Sequence, residues 1–258
     1  MMREFVEGIA EIYEEQGDDI TEENSNLSQM DRFYEIKDNI YFRLINAEKN
    51  QELLEEIPHV SFLNLVMVFY LLVSNEKEGN GSIRITNELM ERWHTSSQEL
   101  YELAMENTEK LFPIKTSCLQ MVLGKFFGCG DRKEREGLDR NIIRFCAETG
   151  EPLVLTNKSG INGFSVILYK DCLKTLGELL QNDFYILPSS IHEGLIIPAV
   201  SEIGNPKQLK DMVKEVNESC VEPEEYLSDE IYYFDREKEI IEIVRDGAKS
   251  EKGGIRYV

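Results

Sequence analysis

Phe5, Ile9, Ile12 and Tyr13 recur at helical spacing with glutamates opposite them, so the chain opens on a predicted amphipathic helix over residues 4–15. Gly17-Asp18-Asp19 ends it, and the polar stretch from Thr21 to Ser28 predicts a hinge. Asn39 to Ile45 is rich in β-favouring side chains and reads as a strand, and Asn46 to Glu56 reads as a short helix stopped by Pro58. Residues 62–73 are apolar but for Asn64, a pattern that a buried strand and a buried helix share. Their Val, Phe and Tyr content, and the Gly79-Asn80-Gly81 turn beyond them, favour a strand that returns through Ser82 to Thr86 as a hairpin. Helices follow over Asn87 to Trp93 and Ser97 to Leu111, the second with Ser96 and Glu99 at capping-box spacing.

Gly124, Gly128, Gly130 and Gly137 interrupt any regular pattern between residues 113 and 137, which therefore reads as irregular, and a helix resumes over Leu138 to Glu148. Pro152 to Thr156 and Phe164 to Tyr169 read as two strands about a turn at 157–163, followed by a helix from Asp171 to Leu180, capped by Lys170 or Asp171. Strand Phe184 to Leu187, turn Pro188-Ser189-Ser190 and strand Ile191 to Ile197 come next, then a helix over Lys207 to Asn217 and a hairpin of Glu230 to Phe234 with Glu239 to Val244. Tight turns between strands and few long crossovers predict an α+β fold: a mixed, mainly antiparallel sheet built from hairpins with flanking helices, preceded by an acidic N-terminal helical arm. The arm is assigned to residues 1–30 and the α+β domain to 31–258, with a sub-boundary to be sought near 112–150. Hairpin plus helix at 63–93 echoes hairpin plus helix at 152–180, without enough identity to be a repeat.

Charge changes this picture. The 258 residues hold 49 Asp plus Glu against 28 Lys plus Arg, a formal charge of −21. That argues against nucleic acid and anionic membrane as default partners. The excess is uneven. Residues 1–35 carry 11 acids against 2 Arg, and residues 215–242 carry 11 acids against 2 bases. The remainder is nearly neutral, and Arg132-Lys133-Glu134-Arg135-Glu136 with Arg140 and Arg144 is mildly basic. Such blocks serve as solvated faces or as partner surfaces. The surface candidates are Glu11, Glu14, Glu15, Asp18 and Asp19 at one end and Glu222, Glu224, Glu225, Asp229 and Glu230 at the other.

Chemistry-bearing motifs are few. Leu187-Pro188-Ser189-Ser190-Ile191-His192-Glu193 sets two hydroxyls, an imidazole and a carboxylate at a tight turn, and a nucleophile beside a base is what hydroxyl activation requires. If Ile191 opens a strand, Ser190 and His192 share a face and Glu193 points away. Ser189, Ser190 and His192 are thus the catalytic candidates, against the plain reading of a polar hairpin turn; no Gly-x-Ser-x-Gly elbow accompanies them. His59 and His94 read as turn and helix-end residues. Cys118, Cys129, Cys146, Cys172 and Cys220 form no C-x-x-C pair, so reduced thiols are expected, with Cys129, flanked by Gly128 and Gly130 near Lys125 and Arg132, the most exposed in character. Neither a cofactor nor a metal is expected: phosphate-loop, zinc and calcium spacings are all missing. Residues 62–73 fall short of the roughly 20 a membrane helix needs, and Met1 to Glu7 lack a secretory pattern, so a cytoplasmic location without membrane contact is expected.

Tyr41 to Asn46 with Leu53 to His59, the helix Glu99 to Thr108, Leu155-Thr156-Asn157, Phe184 to Glu193 and Leu227 to Asp235, taken in that order, resemble the bacterial family of unknown function 5688 over about residues 36–244. The resemblance implies a source among anaerobic gut bacteria, often near mobile elements, and brings no activity, cofactor or catalytic residue. Residues 112–150 depart from the pattern. The expected function is that of a non-enzymatic, cytoplasmic interaction protein that holds a basic protein partner on an acidic surface, in its sharpest form a mobile-element accessory that mimics nucleic-acid charge. A hydrolase using the Ser–His pair and a homo-oligomeric scaffold are the competing expectations.

Overall fold

A computed structural model describes residues 33–75, 79–126, 137–203, 205–245 and 255–256. The arm at 1–30 with Glu11, Glu14, Glu15, Asp18 and Asp19, the basic residues 132–136 and Cys129 lie outside the described residues. In chain order the elements are β1 (Ile40–Asn46), α1 (Gln51–Glu56), β2 (His59–Phe62), β3 (Leu65–Asn75), β4 (Gly79–Arg84), α2 (Asn87–Arg92), α3 (Ser97–Leu111), β5 (Ile114–Cys118), α4 (Leu119–Phe126), α5 (Arg140–Thr149), β6 (Leu153–Asn157), a 3-10 helix (Gly163–Leu168), α6 (Cys172–Leu180), β7 (Phe184–Pro188), β8 (Gly194–Pro198), α7 (Pro206–Cys220), β9 (Tyr232–Asp235), β10 (Ile240–Ile243) and β11 (Ile255–Arg256). The fold is α+β. One sheet runs β1-β3-β2 with β4 on β3, the other β11-β10-β9-β7-β8-β6-β5, and the ladders β3–β4, β5–β6, β6–β8, β8–β7, β7–β9, β9–β10 and β10–β11 are antiparallel.

Contacts divide the chain into two units. Among described residues the first takes 33–43, 52–60 and 68–111, the second 44–51, 61–67 and the rest from 112. In the first unit β3 and β4 pair as the sequence predicts, with Leu71 opposite Ile83 and Tyr70 opposite Arg84, but Gly79, Asn80 and Gly81, expected as the turn, are the first residues of β4 and pair with Asn75, Ser74 and Val73. Phe42, Phe69, Leu71, Ile85, Leu100 and Ala104 form its apolar interior. The Thr86 hydroxyl caps α2 by accepting the Leu89 N–H at 3.1 Å. Ser96 caps α3 through the Glu99 N–H at 3.2 Å, but the Glu99 carboxylate accepts the Thr95 hydroxyl, so half the capping box forms. Asn107 and Thr108 are buried on α3 because the edge of β1 needs them: Thr108 Oγ1 accepts the Phe42 N–H at 3.1 Å, and Asn107 Nδ2 donates to the carbonyls of Lys37 and Ile40. Side-chain pairing of these groups removes part of the main-chain template that an open edge would offer a foreign strand.

The second unit is built on β6, β7 and β8, whose Leu153, Val154, Leu155, Ile186, Leu187 and Ile196 are all buried. Helix α7 starts on a full capping box, Asn205 with Gln208, and Pro206 at its first turn. Its Leu209 and Val213 pack with Leu187, Ile197 and Ile231. Each such side chain contributes about 1.5–3 kcal/mol by leaving water.

Six further expectations are overturned. Residues 113–137 are not wholly irregular: β5 and α4 occupy 114–126, because Leu119 to Leu123 keep a helical apolar pattern up to Gly124. Phe164 to Tyr169 is no strand. Both edges of β6 are taken, by β5 and β8, so 163–168 finds no ladder and closes as a fully buried 3-10 helix. The echo of 63–93 at 152–180 goes with it. Helix α6 starts at Cys172, and Asp171 before it sits at φ +56° with no side-chain cap, so neither Lys170 nor Asp171 supplies one. Finally, β8 starts at Gly194, which leaves 189–193 a loop; and Phe62 ends β2, divided from β3 by a turn at Leu63 (φ +54°) and Asn64.

Candidate functional site

Loop 189–193 joins β7 to β8 and is closed by its own main chain, since the N–H groups of Ser189 and Ser190 both donate to the Glu193 carbonyl, at 3.2 and 3.4 Å. Ser190 and His192 do come together, but through the main chain: Ser190 Oγ accepts the His192 N–H at 3.0 Å. The ring faces elsewhere. His192 Nδ1 accepts the Asn162 N–H at 3.1 Å, which places the ring proton on Nε2, 3.2 Å from Glu225 Oε1. A base for a serine hydroxyl needs a free imidazole lone pair beside it; here Asn162 occupies one nitrogen and Nε2–H points at a carboxylate.

The loop works instead as a knot. The Thr156 hydroxyl donates to the His192 carbonyl at 2.8 Å, the Phe164 N–H to the Ile191 carbonyl at 3.1 Å, and the Ile191 N–H to the Glu225 carbonyl at 2.9 Å. Gly163 sits inside it: a Cβ there would meet Thr156 Oγ1 at 2.1 Å and the His192 carbonyl at 2.4 Å. Gly194 is similarly held, its Cβ position 2.8 Å from the Phe164 ring. The sequence marks Ser189, Ser190 and His192, but not Thr156, Asn162 and Gly163, which lie some thirty residues away and signal only as small and polar residues interrupting an apolar stretch.

Among the acidic candidates described, Glu222 and Glu224 are exposed. The others are engaged. Glu225 holds His192, Asp229 accepts from Asn217 Nδ2 at 2.8 Å, and Glu230 pairs with Lys210 at 2.6 Å. Glu239 pairs with Lys174 at 2.7 Å and Asp235 with Lys238. The charge block at 215–242 is therefore partly neutralised by Lys174 and Lys210, bases that lie outside it in the sequence.

A buried polar network in the second unit explains the Leu227-Ser228-Asp229 segment. Asn46 Nδ2 donates to the Leu227 carbonyl at 2.8 Å, Asn64 Nδ2 to Ser228 Oγ at 2.8 Å, the Tyr232 hydroxyl to Asn64 Oδ1 at 2.8 Å, and Asn217 Nδ2 to the Ser228 carbonyl at 3.0 Å. Burial pushes the Tyr232 phenol well above its ordinary value; burial, then the neighbouring Asp229 carboxylate, pushes Tyr226 up to about 12. One sign was present in the sequence: Asn217 follows Leu209 and Val213 at helical spacing, on the face that α7 buries.

His59 Nδ1 lies 3.0 Å from the Ile57 carbonyl, and His94, at φ +53°, ends α2 through its main-chain N–H to the Glu91 carbonyl. Cys118, Cys146 and Cys172 are buried, Cys220 is exposed, and all four are free thiols; burial pushes Cys146 up to about 12. Among the described residues no three His, Cys, Asp or Glu side chains are grouped to hold a metal ion, and no helix is long and apolar enough to cross a membrane.

No curated protein and no solved structure matches the chain. The resemblance carried by the Tyr41 to Asn46 strand, the Pro188 to Glu193 loop and the Leu227 to Asp235 segment is borne out: over residues 1–236 the chain matches, and so belongs to, the family of unknown function DUF5688.

Proposed function

We propose that the protein is a non-enzymatic, cytoplasmic binding protein that receives a basic protein partner on exposed carboxylates, with charge mimicry in a mobile-element setting as the sharpest form of the role. What supports this is the pair Glu222 and Glu224, exposed and without a cationic partner among the described residues, in a chain of net charge −21. Charge complementarity of this kind raises association rates and is screened by salt. The hydrolase reading has less support, because both ring nitrogens of His192 are committed away from the serine hydroxyls. Affinity capture with the full chain at low and high salt tests the proposal. A basic partner recovered at low salt, lost at high salt and lost with Glu222→Lys/Glu224→Lys supports it. Absence of any salt-sensitive partner, with light scattering showing a homo-oligomer instead, overturns it in favour of a scaffold.

A further inference from the structure

No Asp or Glu occurs anywhere in β1, β3 or β4, in a chain where 49 of 258 residues are acidic. Within the first unit the β3–β4 register sets Tyr70 opposite Arg84 and Leu72 opposite Ser82, hence on one face. Tyr41 and Arg43 of β1 join that face: the Tyr41 and Tyr70 rings stand 5.9 Å apart, and the Arg43 guanidinium lies 4.0 Å from the Tyr70 centroid and 5.3 Å from that of Tyr41. Arg43 Nε donates to the Tyr41 hydroxyl at 3.1 Å, and that hydroxyl lies 2.6 Å from Ser82 Oγ. The opposite face carries Phe42, Phe69 and Leu71 into the interior, whereas Arg43, Tyr70 and Leu72 are half-buried and Ser82 and Arg84 exposed. Neither arginine has a carboxylate partner among the described residues, although Arg92 and Lys110 of the same unit are paired with Glu88 and Glu106.

We propose that this face of the β1–β3–β4 sheet binds single-stranded nucleic acid, with a base stacked on the Arg43 guanidinium and backbone phosphates held by Arg43 and Arg84. A guanidinium already laid over a tyrosine ring presents a planar cation at little ordering cost, and flat sheet faces bearing aromatic and arginine side chains suit splayed bases rather than a duplex. The chain-wide negative charge excludes the usual non-specific attraction, so the electrostatic part of binding rests on these two cations. Two neutralised phosphates give a shallow salt dependence, a log–log slope of about −1.4 at roughly −0.7 per phosphate. A phosphate-free acidic peptide has the charge but no base to stack. The proposal is independent of the carboxylate surface in the second unit.

Fluorescence anisotropy of the full chain, with a labelled single strand of about twelve nucleotides, its duplex, and an oligoglutamate peptide, tests it across about 50 to 200 mM salt. The expected result is binding of the single strand only, with the shallow slope. Arg84→Glu, an exposed change, is expected to weaken binding about tenfold or more at unchanged melting temperature. Arg43→Lys is expected to weaken it several-fold while keeping the slope, since the charge stays and the stacking plane goes. No single-strand binding at the lowest salt, equal binding of duplex or oligoglutamate, or indifference to Arg84→Glu overturns the proposal.

Discussion

Residues 65–92 and 153–180 read alike as sequence and fold differently. In the first, β3 turns into β4 and pairs with it, and α2 follows on a threonine cap. In the second, β6 is paired on both edges by strands from elsewhere, β5 and β8, so the apolar run after it winds into a buried 3-10 helix. Alternation and turn residues say that a segment suits a ladder; whether a place in the ladder is vacant is decided by residues forty positions away. Local pairing is therefore readable from a single chain, and non-local competition for an edge is not.

The sharpest way to break the contrast is at one glycine from each region, Gly163 at the start of the 3-10 helix and Gly81 in β4. Gly163→Ala drives a Cβ to 2.1 Å from Thr156 Oγ1, 2.4 Å from the His192 carbonyl and 2.7 Å from the Asn157 nitrogen, two of which are main-chain atoms. The expected loss is about 3 kcal/mol or more, read as a fall in urea midpoint. Gly81→Ala, whose Cβ has only the Val73 carbonyl at 3.9 Å, is expected to be neutral or to stabilise by about 0.5 kcal/mol. Equal effects at the two positions would mean that 163–168 is not locked in place by its surroundings.

Alkali separates the same regions next. The Cys146 thiol, donating to the Pro152 carbonyl just before β6, is held protonated up to about 12 by burial, whereas the unfolded chain releases that proton near pH 8.5. Its contribution is thus complete below about pH 8.5 and declines as pH rises, by at most about 1.4 kcal/mol per unit. Over one and a half units the fall is about 2 kcal/mol. Cys146→Ala is expected to be less stable at neutrality and to show a flatter alkaline limb in denaturant titrations. Amide exchange in β6, next to the Cys146–Pro152 contact, is expected to lose protection under the same pH change before exchange in β3 and β4.

These contrasts also mark what a single sequence can disclose. The strand at 40–46, the 65–84 hairpin, α3 with its Ser96 cap and the last hairpin are legible because their determinants are neighbours: polar residues and glycines close to the chain reversal, caps three residues apart, β-favouring runs on either side. Strand β5 and helix α4 were hidden behind nearby glycines. The serines and histidine of 189–193 stood out as chemistry, yet their meaning lay in Asn162, Thr156 and Glu225, and no local pattern points from His192 to any of the three. Charge misled in the same manner, since the acids of 215–242 meet bases from α6 and α7 only after folding.

Buried hydroxyls give a smaller test. Ser165 Oγ, inside the 3-10 helix, accepts the Leu44 N–H at 3.2 Å within the second unit. Ser165→Ala strands that donor away from water and is expected to cost about 2 kcal/mol, the range for a buried unsatisfied group. Thr86→Ala in the first region removes a part-buried helix cap, for which about 1 kcal/mol is expected. Thermal melts of the two variants should rank them in that order; a Thr86→Ala loss exceeding that of Ser165→Ala would show that 163–168 tolerates an unpaired strand edge.

The finest distinction concerns the helix starts. Ser96 caps α3 through the Glu99 N–H, and Ser96→Ala is expected to lower stability by about 1 kcal/mol. Asp171 occupies the corresponding place before α6, where its carboxylate accepts nothing from the helix and its backbone is left-handed at φ +56°. Asn tolerates that conformation as well as Asp does, and no cap is there to lose, so Asp171→Asn is expected to fall within about 0.5 kcal/mol of the wild type. Helix α6 starts where it does because Cys172, Leu173 and Leu176 are buried, not because its first turn is signalled, and a loss at Asp171→Asn equal to that at Ser96→Ala would refute this account of the second region.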